Sequence, residues 1–360
     1  MSGGGDRRPG HPLSVVVPVH NAERTLRACL DSVVRQTMSG IEVVAVDDGS
    51  TDGSAAVLAE YRDAYPDRVV VLRTGNQGAN RARNEALKHV TGAYVVFLDS
   101  DDVLAPDMCE KLHTRAVRGD DDVVLCGAYH VHEDGVTRET VGTRLDRQDF
   151  NLRDHAYAFV HLSPFPWAKL FRRDLLDGLE FPELSSFAGN SGLYADLVLV
   201  FQACSRAGRI GVVEEPLYHY RRTTVRGFSR RTLDVVRAFE LVTEDLRRTG
   251  RLDGLRDELE CVCVRHFLHR YPRLFKRRGD LALKLEFIAA THGFLDREFP
   301  RWRRNRYLRR SSRRARAVIR LYAGRARMTR LVRLRAHVPD AVAGPLARRL
   351  ERINVLTEHR

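Results

Sequence analysis

Carboxylates offer the chain its most evident chemistry. Asp99, Asp101 and Asp102 stand together around Ser100, directly after the apolar run 94–98. A buried strand that delivers clustered carboxylates to its end is costly unless a cation or a substrate uses them. Oxygen donors of this kind favour Mg²⁺ or Mn²⁺ over zinc. A second acidic pair, Asp47-Asp48, closes the apolar run 41–46. Other chemistries lack their signatures: no G-x-G-x-x-G follows the first apolar run, and there is neither a G-x-x-x-x-G-K-[ST] phosphate loop nor a G-x-S-x-G nucleophile elbow.

The elements that must position these acids alternate in period. Residues 13–19 read as a buried strand; Asn21 then caps a helix whose inner face is Leu26, Cys29, Leu30 and Val33. Residues 41–46 give the second strand. Gly49 permits the turn after it, and Ser50, Thr51 or Asp52 caps a helix carrying Val57, Leu58 and Tyr61. A third strand at 69–72, a helix at 79–89 and the strand 94–98 follow. This alternation predicts a parallel sheet, with ligands at the carboxyl ends of its strands, where the acidic motifs fall. Further along, 123–129 reads as a strand, 130–149 as a polar hairpin or excursion, and 163–176 as a proline-broken loop entering a helix. Residues 181–190 read as a loop on the acceptor side, 193–207 as a helix beginning near Asp196, and 211–220 as a late strand.

Four stretches, SVVVPVHN (14–21), VDDGSTD (46–52), NQGANRARNEAL (76–87) and VVFLDSDD (95–102), resemble in kind and order the nucleotide-sugar domain of family 2 glycosyltransferases. The resemblance implies a GT-A fold and transfer of a sugar from a nucleoside diphosphate, with UDP the expected carrier. It makes Asp99-Ser100-Asp101 a D-x-D signature, with Asp101 on a Mn²⁺ or Mg²⁺ ion, Asp99 supporting metal or ribose, and Asp102 behind them. Asp48 falls where the family recognises the pyrimidine, with Asp47 structural. Pro18, His20 and Asn21 line the base, His20 standing where an aromatic commonly stacks. Arg83 faces the donor. Family members carry a Glu-Asp pair at the opening of a later helix; here it is Ala195-Asp196, so the aspartate is kept as the base that takes the acceptor's proton, with inversion at the sugar. Trp167 and Lys169 resemble an element near the acceptor groove, Trp167 as stacking floor or as core. His219, Arg221 and Arg222 fall where a loop closes on the diphosphate.

Length and composition fit this reading. A chain of 360 residues, 43% hydrophobic and 30% charged, has room for two cores. We expect a disordered stretch at 1–11, the transferase domain at 12–230, and a helical region at 231–360, where Val235, Phe239, Val242 and Leu246 repeat at helical spacing, as do Leu281, Leu285 and Ile288. The start shows no signal-peptide core, no run is of membrane-spanning length, and six scattered cysteines suggest reduced thiols; the expectation is a cytoplasmic protein. The net charge of +13 gathers beyond residue 301, where arginines alternate with Trp302, Tyr307, Leu308, Val318, Ile319, Leu321 and Tyr322. An amphipathic cationic helix predicts attachment to an anionic membrane surface through 301–336, and no nucleic acid is expected. The expected acceptor is a hydroxyl of a cell-envelope glycan, a lipid-linked glycan or a polyol-phosphate polymer. Two alternatives stay open: a degenerate transferase domain that binds without catalysis, and a sugar nucleotidyltransferase.

Overall fold

The structure is a computed structural model that describes residues 10–131, 137–141, 149–184, 194–221, 229–268, 271–274, 280–311 and 313–337. The chain divides into two compact units, residues 1–155 with 161–224, and residues 156–160 with 225–360.

The first unit is a sheet flanked by helices. In chain order it holds β1 (Leu13–Val19), α1 (Glu23–Val34), β2 (Ile41–Asp48), α2 (Ser54–Ala64), β3 (Val69–Thr74), α3 (Ala79–Leu87), β4 (Tyr94–Phe97), β5 (Val103–Leu104) and α4 (Met108–Gly119). Then come β6 (Val123–Val131), β7 (Thr137–Val141), β8 (Asp149–Phe150), β9 (Lys169–Arg172), α5 (Ala195–Arg206) and β10 (Ile210–Arg221). The strands run β3-β2-β1-β4-β9-β6-β10-β5, with β7 on β6 and β8 on β10. Parallel pairing holds across β3-β2-β1-β4 and between β6 and β10, as the strand-helix alternation predicts. All seven residues of β1 and all eight of β2 are buried, which is why both read as continuous apolar runs.

Two local expectations are corrected. Residues 163–176 do not enter a helix: β9 lies antiparallel between β4 and β6, followed by a 3-10 turn at Arg173–Leu176. Leu170 and Phe171 point to opposite faces of the sheet and both are fully buried, which a strand between two others satisfies. Asn21 does not cap α1. It sits in the left-handed region at φ 50°, and its Oδ1 accepts from the Thr51 N–H at 2.8 Å, tying the first loop to the second. The N–H groups that open α1 are met from the second loop instead, Ala22 by Ser54 Oγ at 2.8 Å and Glu23 by Asp52 at 3.1 Å. The excursion after β6 returns as β7 in a hairpin, with residues 132–136 and 142–148 outside the described set.

The second unit is helical: α6 (Asp234–Arg248), α7 (Leu252–Leu268), α8 (Tyr271–Leu274), α9 (Leu281–Glu298), α10 (Arg306–Arg310), α11 (Arg313–Tyr322) and α12 (Arg325–His337). Val235, Phe239, Val242 and Leu246 are fully buried as one face of α6, and Gly250 at φ 68° ends that helix. On α9 the buried face is displaced from the expected one: Leu283, Phe287, Ile288 and Phe294 are buried, Leu281 and Leu285 only partly. Several apolar residues beyond 301 are also taken up by this core. Trp302 and Tyr322 are fully buried, and Leu308 and Ile319 nearly so, so they are not available to a lipid surface. No helix among the described residues is long and apolar enough to cross a membrane, and all six cysteines are free and buried.

Gly49 sets the turn after β2. Its φ is +71°, and a Cβ there would lie 2.8 Å from the backbone N of Asn76. Gly49→Ala is expected to cost about 2 kcal/mol, from left-handed strain plus this contact, read as a lowered urea midpoint with an unchanged m-value.

Candidate active site

The acidic motifs converge on a cleft of ≈ 580 Å³ at the carboxyl ends of β1, β2 and β4. Pro18, His20, Asn21, Asp48, Arg83, Asp99, Ser100 and Asp101 all line it. Each is delivered by a strand end or by the helix that follows, where a parallel sheet leaves its crevice.

Asp48 is almost fully buried and already engaged. Its Oδ1 accepts from Thr74 Oγ1 at 2.8 Å and from Gln77 N at 2.7 Å, and its Oδ2 from Gly78 N at 2.5 Å. It therefore shapes the turn before α3 and presents only the remaining edge of its carboxylate to a ligand. Asp47 is structural, accepting from Ser50 N at 2.9 Å. The His20 Nδ1 lies 2.8 Å from the Asp48 carbonyl, which makes Nδ1 the protonated nitrogen; the ring is otherwise exposed, as a stacking surface must be.

Arg83 does not simply face the donor. Its guanidinium forks between two carboxylates, donating from NH2 to Asp99 at 2.5 Å and from NH1 to Asp196 at 3.1 Å, while its plane lies 5.3 Å over the Phe181 ring. Arg83 is 5% exposed. Burial lowers its pKa, but Asp196 and Asp99 more than offset this and hold it above its ordinary value. Asp196, in the first turn of α5, has its pKa raised by burial, opposed by Arg83 and reinforced by Asp99. Tyr194, which opens α5, is held at φ 86°, a strained conformation for an aromatic residue next to this carboxylate.

The other two acids differ in engagement. Asp102 is buried, accepting from Tyr218 OH at 2.6 Å and from Arg221 N at 2.7 Å, and burial followed by repulsion from Asp99 pushes its pKa up to about 8. Asp101 is half-buried, and among the described residues no side chain hydrogen-bonds its carboxylate. Burial and the nearby Asp99 raise its pKa too. The cleft thus holds Asp99 and Asp101 with surplus negative charge, and a diphosphate would be repelled there without a cation. The donor set fits a hard divalent ion, with phosphate oxygens completing the few protein ligands. Among the described residues no cluster of three or more protein donors is present.

Of the two readings open for Trp167 the structure has the core one, and Lys169 is corrected from a groove residue to a buried one. Trp167 is 7% exposed and stacks on Tyr218 at 5.1 Å and on Tyr220 at 5.2 Å; the aromatic that reaches solvent is Phe165, stacked on its other face at 5.0 Å. Lys169 is 2% exposed and donates to the Phe165 carbonyl at 2.6 Å, pinning that turn. His219 does not line the cleft; it sits edge-on to Tyr129 at 5.4 Å, with its pKa lowered by burial. Arg222 lies outside the described residues, as do 185–190 of the expected acceptor-side loop. Arg221, which sequence reading placed by the diphosphate, lines the cleft; sequence reading missed Tyr218, Arg24 and Thr25. For Tyr218 a signal existed: side chains alternate along β10, so His219 faces away from the side that reaches Asp99 and Asp102.

Residues 14–179 match the family described as Glycosyl transferase family 2. Over 264 residues the chain is 31% identical to EpsH of Bacillus subtilis (strain 168), a glycosyltransferase by its name, covering 71% of this chain and 74% of EpsH. The chain belongs to glycosyltransferase family 2. Another family relative is the poly(ribitol-phosphate) beta-glucosyltransferase of Bacillus spizizenii, 32% identical over 213 residues, 58% of this chain but 32% of that protein. Among solved structures, S. aureus TarS 1-349 in complex with UDP superposes with a TM-score of 0.68 at 22% identity, covering 92% of this chain and 91% of TarS. That likeness establishes the fold as GT-A. The protein is a glycosyltransferase.

Two outcomes test the glycosyltransferase's buried charges. Arg83→Met strands Asp99 and Asp196 without a counter-charge and is expected to cost about 3 kcal/mol, more than Asp196→Asn, in urea unfolding. Burial lowers the Lys169 pKa to about 8 from 10.5. Below pH 8 the amine is protonated in folded and unfolded chains alike. Between the two values the unfolded chain keeps a proton that the folded one releases, so stability should rise with pH across this window, by at most about 3 kcal/mol. Lys169→Met should flatten that rise.

Proposed function

We propose that the protein moves a sugar from a UDP-sugar to a hydroxyl of a cell-envelope polymer, of which a polyol-phosphate chain is the favoured example, with inversion at the sugar. The observation that carries the reading is the Arg83 fork, which joins a carboxylate of the D-x-D loop to a carboxylate opening α5. The donor and acceptor ends of a displacement are thereby held in one charge network. The UDP preference draws on the GT-A neighbours, TarS having been solved in complex with UDP and with UDP-GlcNAc. The acceptor class draws on the poly(ribitol-phosphate) beta-glucosyltransferase among its relatives.

His20 would stack on the base, and the free edge of Asp48 would accept from it. Asp101, supported by Asp99, would hold Mn²⁺ or Mg²⁺, which when bound supplies Lewis-acid stabilisation to the departing diphosphate. Asp196 takes the proton from the acceptor hydroxyl as that oxygen attacks the anomeric carbon. Its raised pKa makes it a stronger base than an exposed aspartate, while Arg83 keeps enough of it ionised to act. Phe165, exposed on the aromatic stack, offers the acceptor an apolar face.

The test is nucleotide release from a panel of UDP-, GDP-, TDP- and CDP-sugars, with Mn²⁺ or EDTA and with polyol-phosphate acceptor. Release is expected from a UDP-sugar and not with EDTA. Asp196→Asn should lower kcat by about 10²–10⁴-fold with donor binding retained, and Asp101→Asn should abolish metal-dependent donor binding. As pH falls, kcat/KM should decline through a pKa above the ordinary aspartate value of 3.8. Donor binding with no turnover on any acceptor would sink the catalytic reading.

A further inference from the structure

Residues 301–337 contain fifteen arginines and no aspartate or glutamate, whereas the rest of the chain has an acidic residue about every seven positions. That segment outweighs the whole chain's net charge of +13, and the remainder is close to neutral. It folds as α10, α11 and α12 with the short turn before them. Its large apolar side chains are occupied in packing: Trp302, Tyr322 and Met328 are fully buried, and Val332 nearly so. Among the described residues of the segment, Leu334 is the large hydrophobic left exposed, at 56%.

The outward face is therefore guanidinium. Arg309, Arg310, Arg313, Arg320, Arg330 and Arg333 are exposed, and no carboxylate among the described residues pairs with them. Arg303 and Arg306 find theirs outside the segment, on Asp296, Asp257 and Glu258. Arginines three or four positions apart on one helix, as at 316 and 320 or 330 and 333, repel each other. Arg313 and Arg325 also open their helices, where the backbone dipole favours anions. Packing holds these helices together against their own charge, and anions seated between the guanidiniums would relieve it. Pairs three or four positions apart on one helix stand ~5–6 Å apart, close enough for neighbouring guanidiniums to share one phosphate.

We propose that this arginine face is a docking track for the anionic acceptor polymer, binding its successive phosphates along α10 to α12. The inference rests on the polyol-phosphate reading above. A lipid surface carries similar charge, but an interfacial helix also sinks an apolar face into the bilayer, and here that face is filled by the unit's own core. Holding a long chain on the enzyme raises the local concentration of its hydroxyls, so the benefit grows with chain length.

The test uses the full chain and synthetic polyol-phosphate acceptors of one repeat and of many. The quadruple variant Arg309→Gln, Arg313→Gln, Arg320→Gln, Arg330→Gln should raise KM for the long acceptor by about tenfold or more. KM for the single repeat, and acceptor-free nucleotide release, should not change. A matched variant with Arg27, Arg35, Arg62 and Arg118 each changed to Gln, on the sheet unit, should leave all three values alone. Equal KM for the long acceptor in wild type and quadruple variant overturns the proposal. So does loss of co-sedimentation with phosphatidylglycerol vesicles while polymer KM is unchanged, which would assign the face to membranes. Should the wild type glycosylate no polyol-phosphate at all, retention on immobilised inorganic polyphosphate separates the two failures. Wild type retained and the quadruple variant not would uphold the phosphate track and sink only the acceptor's identity; equal retention of both, or none, would overturn the track.

Discussion

One buried guanidinium sets the terms of this active site. Arg83 lies under the cleft with Asp99 on one side and Asp196 on the other, contributed by segments 97 residues apart. Without it, two carboxylates in a partly dry environment would repel each other, and one would take up a proton. With it, the loop after β4 and the first turn of α5 share a single anchor. The hydrogen bonds made by Arg83 therefore fix where Asp99 and Asp196 stand relative to each other.

Around that anchor the acids divide their tasks by what already bonds to them. Asp48 and Asp102 are buried and spend most of their acceptor capacity on backbone N–H groups and hydroxyls, so they shape loops. Asp101 keeps its oxygens and Asp196 shares one with Arg83, so these two retain capacity for a ligand. The same residue type thus builds the site and works in it. The difference lies in the number of donors each carboxylate meets, which follows from its position relative to the strand end.

Much of this was legible in the sequence because β1, β2 and β4 are buried on both faces and leave unbroken apolar runs that end where the acids begin. The residues lining the cleft came from those ends. What was not legible depended on pairing between distant segments. Asn21 has the composition of a helix cap, but its partner, the Thr51 backbone, lies on another loop. The stretch after Phe165 reads as a proline-broken loop entering a helix, yet β4 and β6 both recruit it as a strand. Trp167 could be read as groove floor or as core and Lys169 as a groove residue, and only burial shows both as support for Phe165. Beyond residue 301 the arginines and aromatics alternate as in a membrane-surface helix, and no local pattern reveals that the second unit's core has already claimed the aromatics.

The position of β9 has a consequence for how the protein is made. The four strands β3-β2-β1-β4 are complete once residue 97 has emerged, and they can pair as a local unit. The far edge of β4 is covered only by β9, about seventy residues later in the chain. At about 5–20 residues per second of synthesis, that edge stays unpaired for roughly 4–14 seconds on every ribosome. An open, wholly apolar edge strand is a template for other strands. The interval in which this chain is most exposed to aggregation is thus fixed by strand order rather than by composition, and it closes when Lys169–Arg172 arrives.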